Sequence, residues 1–458
     1  MRSRRRPARD PVAASVRDLP PGASADLRVI RSAWTTIRFA NGRIHQPHVE
    51  RSTHVSYRVA DGRRLGTATT VDASAEGLAS VREAARTLAR LAPVEPRFPG
   101  FSSGGGRSRP PGAFSRATSG ISPEAATRIA ERILAAAEDA APGGRIAGAV
   151  NVGGETLRVV NSSGLDRTDV RSIAQASVLV DRPELDPPVS GWSEGGHWDA
   201  SELDPEGLGR EAAERVARTA PETVAPGNYR VVFRGPALAE ALQFVGSLGF
   251  SGHGEEEGWS CLRHARGKRI APESVNLVDD PRSRATIPAS IDYEGTYTRR
   301  VPLVDHGIAG EAVTDLVTAG RLGRGLTGHA FPPEAPWGEY GPDAAHLVLS
   351  AGDASEEELI RETRRGLLVT RFHYVRVVDP GRGVITGMTR DGTYRIERGE
   401  VVGPARNLRF TDSVLTLLKG IELLGRERRI YAGERGMSCY TTPSAAVRSF
   451  RFTSATLF

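Results

Sequence analysis

The sequence predicts an α+β protein: an N-terminal antiparallel sheet with covering helices, followed by a β-rich C-terminal domain. Three observations carry this expectation. Asn41-Gly42 and Asp61-Gly62 interrupt runs that alternate apolar and polar residues, and such pairs mark β-hairpins because their turn positions need φ > 0. Leu78, Val81, Ala85, Leu88 and Leu91 follow at helical spacing, which supplies a helix to cover that sheet. Further on, an apolar strand at 229–233 runs through Gly235-Pro236 into a short helix at 238–245, and short strand-like runs dominate the rest.

Taken in order, residues 1–25 are expected to form a disordered tail holding the basic run Arg2, Arg4, Arg5 and Arg6. Two hairpins, at 34–46 and 54–71, make a four-stranded meander, and the helix after it stops before Pro93. The Gly, Ser, Pro and Arg-rich stretch 98–120 reads as a flexible linker. Ser122 caps a helix with Pro123 in its first turn and Ile129, Ile133, Leu134 and Ala137 on one face. A hairpin at 147–160 is expected to turn at Gly153-Gly154, with a further strand ending at Val180 and a loop containing Ser190-Gly191-Trp192. A helix at about 205–219 closes a first domain of residues 26–225.

The second domain, residues 226–458, opens with the strand and helix at 229–245 and a Gly-rich acidic loop. Strands are expected near 275–278, 290–297 and 346–349, and helices near 311–319, after Glu357, and at 411–424. Turns fall at Asp391-Gly392 and Arg398-Gly399. The apolar end, 446–453, is expected to insert into a sheet, where it would be covered.

Composition sets bounds. At 458 residues with 39% hydrophobic and 25% charged residues, the chain suits a globular fold of about two domains and excludes fibrous and wholly disordered classes. The net charge of +6 raises nucleic-acid binding. The basic residues are nearly all Arg, with Lys only at 268 and 419, and they are interleaved with acids along the whole chain. No nucleic-acid partner is therefore expected. Two distant cysteines, Cys261 and Cys439, give no disulfide framework and suit a cytoplasmic location. The N-terminus lacks the apolar run of a secretion signal, and no stretch is apolar enough to span a membrane.

Several residues could carry chemistry. His253, Glu255, Glu256, Glu257, Cys261 and His264 are crowded together, and Cys-x-x-His is a possible zinc spacing, so His253, Cys261 and His264 form a weak candidate metal site against an ordinary acidic loop. Asp292 and Glu294 are expected on one face of a strand, as paired acids or as structural hydrogen-bonding groups. His329 in its Gly-rich loop reads as a surface histidine, with peptide contact the alternative. Gly323-x-Gly325-x-x-Gly328 spells a dinucleotide fingerprint but follows a helix instead of a strand, so nucleotide binding is not expected.

The order of short motifs is more telling than any one of them. Arg38-Phe39-Ala40-Asn41-Gly42, Asn161-Ser162-Ser163-Gly164, Asp279-Asp280-Pro281, Asp292-Tyr293-Glu294-Gly295, Thr327-Gly328-His329, Ser350-Ala351-Gly352 and the run from Tyr394 to Glu400 follow one another at set intervals. This series resembles the TldD/PmbA family (modulator of DNA gyrase) from about Asp26 to Phe452. Where its TldD members carry His-Glu-x-x-x-His, this helix carries Ala239, Glu240 and Phe244. A catalytic zinc takes about three protein ligands plus a water, and neither Ala nor Phe can donate to a metal. Cys439, in Met437-Ser438-Cys439-Tyr440, also departs from the Cys-Gly-Lys context of the TldD ligand.

The chain therefore looks like the PmbA/TldE branch, which lacks the zinc motif. The resemblance implies a subunit without catalytic residues or cofactor of its own, paired with a TldD-like metallopeptidase subunit that holds the zinc and acts on extended peptides, including small, unfolded or modified ones. The alternatives are a stand-alone metallopeptidase using the His253, Cys261 and His264 cluster, and a peptide-binding regulatory protein, as a homodimer when alone.

Overall fold

The computed structural model describes residues 10–17, 19–103, 113–332, 341–433 and 438–456. Its first domain is built on one six-stranded antiparallel sheet. The strands are β1 (Ala23–Ala40), β2 (Arg43–Asp61), β3 (Arg64–Thr70), β4 (Arg145–Asn161), β5 (Asp166–Arg182) and β6 (Val189–His197), in the order β3-β2-β1-β4-β5-β6. The Asn41-Gly42 turn is as expected, with φ of 51° and 68°. The two hairpins share β2, however, so the meander has three strands and not four. Pro47 lies inside β2, opposite Ile37 of β1. It is tolerated because β3 pairs only with the Val55–Asp61 half, which leaves the outer edge at Pro47 free of a ladder among the described residues.

Helices cover this sheet. α2 (Ala75–Leu91) takes its first turn from the Ser74 side chain, which accepts from Gly77 N, and buries Leu78, Val81, Ala85 and Ala89. Leu88 and Leu91, expected on that face, are exposed, because the buried stripe runs through Ala89. α4 (Pro123–Ala140) is capped by Ser122 as expected and packs on α5 (Pro205–Glu214). Two expectations for the flanking segments are corrected. A short helix, α1 (Pro11–Ser15), lies within the predicted tail, and Val12 and Val16 are buried against α2 and the sheet. The ends of the predicted linker are also packed: Phe98 and Phe101 are buried edge to face at 5.2 Å, and α3 (Arg116–Ser119) buries Thr118. Residues 1–9 and 104–112 lie outside the described residues.

Glycines expected in a turn and a loop lie inside strands. Gly153-Gly154 does not turn; it lies within β4, where a Cβ on Gly153 would strike the Ala33 carbonyl and the Trp34 ring. Gly191, expected in a loop, lies within β6 under the α5 backbone. In both places glycine permits close approach of a neighbouring element.

The second domain has two sheets with helices between and around them. One contains β8 (Leu277–Asp279), β9 (Val301–Asp305), β10 (Ile308–Ala309), β11 (His346–Leu349), β17 (Arg429–Ala432) and β18 (Cys439–Thr442), in the order β10-β9-β8-β11-β18-β17. The other contains β7 (Gly227–Phe233), β12 (Arg365–Asp379), β13 (Val384–Glu397), β14 (Glu400–Pro404), β15 (Leu408–Ser413), β16 (Ile421–Leu424) and β19 (Ala445–Ala455). Here β12, β7, β19, β15 and β13 each pair with the next, and β13 pairs back to β12, which closes a five-stranded ring. Phe233, Phe372, Phe410 and Phe450 pack ring on ring at 4.5–6.0 Å within its core. The final strand β19 is inserted between β7 and β15, as its apolar character required.

α6 (Gly235–Phe250) joins the two sheets and is nearly all buried. It is longer than the short helix expected, and the acidic loop after it is largely helical as α7 (Gly252–Glu256). Gly246 and Gly249 keep α6 intact because Ala344 and Leu262 pack closely against them. The remaining helices are α8 (Leu316–Leu322), α9 (Glu356–Thr363) and α10 (Val414–Gly420). α8 starts later than expected, since Asp315 and Thr318 form a capping box there. The predicted helix at 411–424 is strand, one short helix and strand again. Asp391-Gly392 sits inside β13 and not at a turn, with φ of 51° and 122°. Arg398-Gly399 does turn.

Candidate functional site

On α6, Glu240, Gln243 and Ser247 are the only residues not fully buried. Their spacing puts them on one face. That polar stripe turns Glu240 towards the first domain. Burial pushes its carboxyl up to about 7, with Arg371 of β12 opposing the rise and Glu194 of β6 adding to it. No hydrogen bond reaches the Glu240 carboxyl among the described residues. Arg371 is held firmly: its Nε donates to Asp391 Oδ2 at 2.6 Å and its guanidinium lies 3.9 Å from the Trp192 ring centre. Ser190 Oγ donates to the same Asp391 carboxylate at 2.6 Å. The positive-φ step at Asp391-Gly392 within β13 therefore places one carboxylate against residues from both domains.

Charged groups continue along this joint. Arg429 donates to Glu211 Oε2 at 2.6 Å, and Arg215 and Ser193 bond the same Glu211 side chain. Arg234, just before α6, donates to Glu356 at 2.6 Å. Ala239 and Phe244, by contrast, are buried in the apolar core shared by α6 and both sheets of the second domain, at 3% and 4% exposure.

A second polar cluster lies deeper, around β8 and β11. Asp279 Oδ1 meets His329 Nε2 at 2.8 Å, and Asp279 Oδ2 accepts from His346 N at 2.9 Å. Burial opposes charge on His329, yet Asp279 outweighs it and raises the imidazole above its ordinary value. His329 is thus a buried, paired residue and not the surface histidine expected. Beside it, burial raises the Asp343 carboxyl to about 7 and lowers His346 to about 4. Asp343 Oδ1 and His346 Nε2 find no hydrogen-bond partner among the described residues, and both residues line a small pocket of about 30 Å³. That volume takes about one water.

Asp292 and Glu294 also lie elsewhere than expected. They sit in a turn closed by an isolated Ile291–Tyr297 bridge, not on a strand. Asp292 accepts from the backbone N–H groups of Glu294, Thr296 and Ala330 at 2.8–3.0 Å. Glu294 accepts from Arg58 Nη1 and from Leu316 N, both at 2.8 Å. Their bonding is structural, and it ties the second domain to β2, because Arg58 also grips Asp26 with two bonds of 2.8 and 2.9 Å.

The sequence-predicted metal cluster is not assembled. Cys261 packs near Gly249 and Gly383, and burial pushes its thiol up to about 12. His264 is exposed and accepts from Arg263 Nε at 2.7 Å. His253 instead approaches Glu256 and Glu257, within 4.8 Å of one another. Arg321 already sits on both carboxylates, at 3.0 and 3.9 Å. Arg371, Glu194, Asp343 and His346 were not singled out from sequence. No local motif marks them, because they meet only through the packing of separate strands.

Fold and site together define an α+β protein of three sheets, with a lone, raised carboxyl on the helix that ties its second domain together. Comparison with known proteins gives the family. The models for the PmbA/TldA metallopeptidase domain 1, central domain and C-terminal domain match residues 25–92, 117–219 and 226–454. The chain belongs to the PmbA/TldD metallopeptidase family. It is 28% identical over 250 residues to a metalloprotease of Methanothermobacter thermautotrophicus, covering 52% of each chain. It is 24% identical over 231 residues to metalloprotease PmbA of Escherichia coli O157:H7, covering 49% of this chain and 47% of that one. These alignments span about half the length of the curated relatives. The crystal structure of TldE from Thermococcus kodakarensis matches with a TM-score of 0.82 at 22% identity, over 94% of this chain and 96% of that one. A Thermotoga maritima structure matches at 0.78 with 20% identity, over 94% and 96%. At these identities the structural matches speak for the fold.

The family name implies a metal, and the residues here do not fit one. Ala239 and Phe244 flank Glu240 with a methyl group and a ring, both packed in the core. The Cys439 sulfur is fully buried among Trp34, Ile173, Ile287 and Ile430, accepts from Ile287 N at 3.3 Å, and has its thiol pushed up to about 12 by burial.

Proposed function

We propose that this chain is the TldE/PmbA-like, non-catalytic subunit of a two-subunit zinc metallopeptidase that degrades small, unfolded or modified peptides. One observation carries the reading. In a metallopeptidase family member, the helix that ought to present metal ligands buries Ala239 and Phe244 instead, and leaves Glu240 facing Arg371 and Glu194. A carboxylate without a polarised water beside it cannot act as the base of a zinc peptidase. On this reading the zinc and its water belong to a TldD-like partner subunit, and this chain holds no cofactor.

Its own contribution is to hold substrate and complete the chamber. The Arg43–His54 part of β2 pairs with β1 on one side and has no strand on the other among the described residues. Such an edge can take an extended strand by main-chain bonding, which tolerates many sequences. No described helix is long and apolar enough to cross a membrane, and a cytoplasmic setting accords with both thiols being free.

The test is co-expression with a family member that carries an intact His-Glu-x-x-x-His, from the same genome. Cleavage of an unstructured peptide should require both chains. Cleavage by the partner alone at an undiminished rate would remove the proposed role.

A further inference from the structure

A groove of about 790 Å³ runs between the first domain's 99–103 segment and β5 on one side and the second domain's 296–299 segment and α8 on the other. Four guanidinium groups line it, from Arg167, Arg282, Arg299 and Arg324, and no carboxylate does among the described residues. Two of these cations are engaged. Arg324 pairs with Glu255 at 2.6 Å and Glu311 at 3.1 Å, while Arg167 donates to Gly295 O at 2.6 Å and lies 3.8 Å from the Tyr297 ring centre. The other two are exposed, and their guanidinium groups have no partner among the described residues.

Two guanidinium groups without partners in one groove between the domains favour an anion, and each planar fork matches a carboxylate with two parallel bonds. The aromatic rings decide what kind of anion. Single-stranded nucleic acid gains its hold by stacking bases on free aromatic faces. Here Arg167 covers one face of the half-buried Tyr297, and Phe101 is buried beside Arg58. The floor is apolar, from Leu316, Ala319 and Leu326, which suits side-chain methylenes.

We propose that this groove is a binding site for acidic, extended peptide segments, with Arg282 and Arg299 reading carboxylate side chains. The inference rests on the peptidase-subunit reading for its choice of a peptide ligand. It goes further by naming the substrate class: peptides rich in Asp and Glu are captured in preference to neutral ones.

The experiment is fluorescence anisotropy on the purified full chain, with labelled peptides of alternating Glu and Gly, Gln and Gly, or Lys and Gly, and an oligothymidine of similar length. The Glu peptide should bind about tenfold or more tighter than the Gln peptide at low salt, and weaken as salt rises. The double variant Arg282→Ala/Arg299→Ala should lose that preference with an unchanged far-ultraviolet spectrum and Tm, since both side chains are exposed. Arg299→Glu should invert it towards the Lys peptide. Equal binding of the Glu and Gln peptides, an unaltered preference in the double variant, or tighter binding of the oligothymidine would overturn the proposal. Such a failure is separable from failure of the subunit reading. If the co-expressed pair still cleaves a neutral peptide only when this chain is present, the groove's role falls and the subunit's role stands.

Discussion

Glu240 on α6 and Arg371 on β12, both of the second domain, interact where that domain meets β6 of the first, and the arginine's Nε already donates to Asp391 at 2.6 Å while its guanidinium lies against the Trp192 ring. Arg371 is the opposing charge at Glu240, and it lowers the carboxyl less than burial raises it. The carboxyl is left half-compensated, which is why burial dominates and lifts it to about 7.

This gives a signed pH dependence. A carboxyl whose folded value is raised binds more protons folded than unfolded, so its contribution favours the folded state at low pH and is lost as pH rises from the ordinary carboxylate range through about 7. Replacing Glu240 with Gln should accordingly stabilise the protein at pH 8 by about 1–3 kcal/mol and change little at pH 5. Urea unfolding of both proteins at the two pH values is the measurement. A stabilisation equal at both would show that the carboxyl is not raised.

Phe244 is buried in the core that α6 shares with both sheets of the second domain. Phe244→Ala should cost about 3–5 kcal/mol, the ordinary price of an emptied aromatic site. Thermal and urea unfolding would report it, and a loss below about 1 kcal/mol would mean that the ring is not packed as described.

Arg58 holds the domains together through Asp26 and Glu294 at 2.8 Å each. Arg58→Ala leaves two buried carboxylates uncompensated and should destabilise the protein by about 3–5 kcal/mol at pH 8. The loss should shrink as pH falls, because Glu294, already raised by burial, can then protonate. Limited proteolysis would in addition show faster cutting between the domains. An Arg58→Ala protein as stable as the parent at pH 8 would contradict the bridging role.

Both thiols should be inert. Cys439 is fully buried, Cys261 is partly so, and burial lifts each to about 12, so neither supplies thiolate near neutrality. A chromogenic disulfide reagent at pH 8 should react only after denaturation. Fast reaction of Cys439 in the native protein would reopen a ligand role for it.

Much of the scaffold was legible where one local signal sufficed. Asn41-Gly42, the Ser74 and Ser122 caps and the final apolar strand each stand where the residues placed them. The errors came from residues with two uses. Gly153-Gly154 and Asp391-Gly392 spell turns, but here they admit a neighbour's ring or bend a continuing strand. The helix expected at 238–245 continues to Phe250, with Gly246 and Gly249 inside it and packed against Ala344 and Leu262. That helix α6 carries Ala239 and Phe244, neither of which can donate to a metal, was visible from sequence alone. The company that Glu240 keeps was not, since Glu194 and Arg371 come from strands far apart in the chain and meet only in the folded joint.

The most direct test of the central claim is metal stoichiometry. The lone chain and its co-purified complex with a partner bearing an intact motif should be analysed by mass spectrometry for zinc, after dialysis against a weak chelator. The account predicts zinc in the complex, carried by the partner, and none retained by this chain alone. One tightly held zinc in the isolated chain, lost on substituting Glu240, would contradict it.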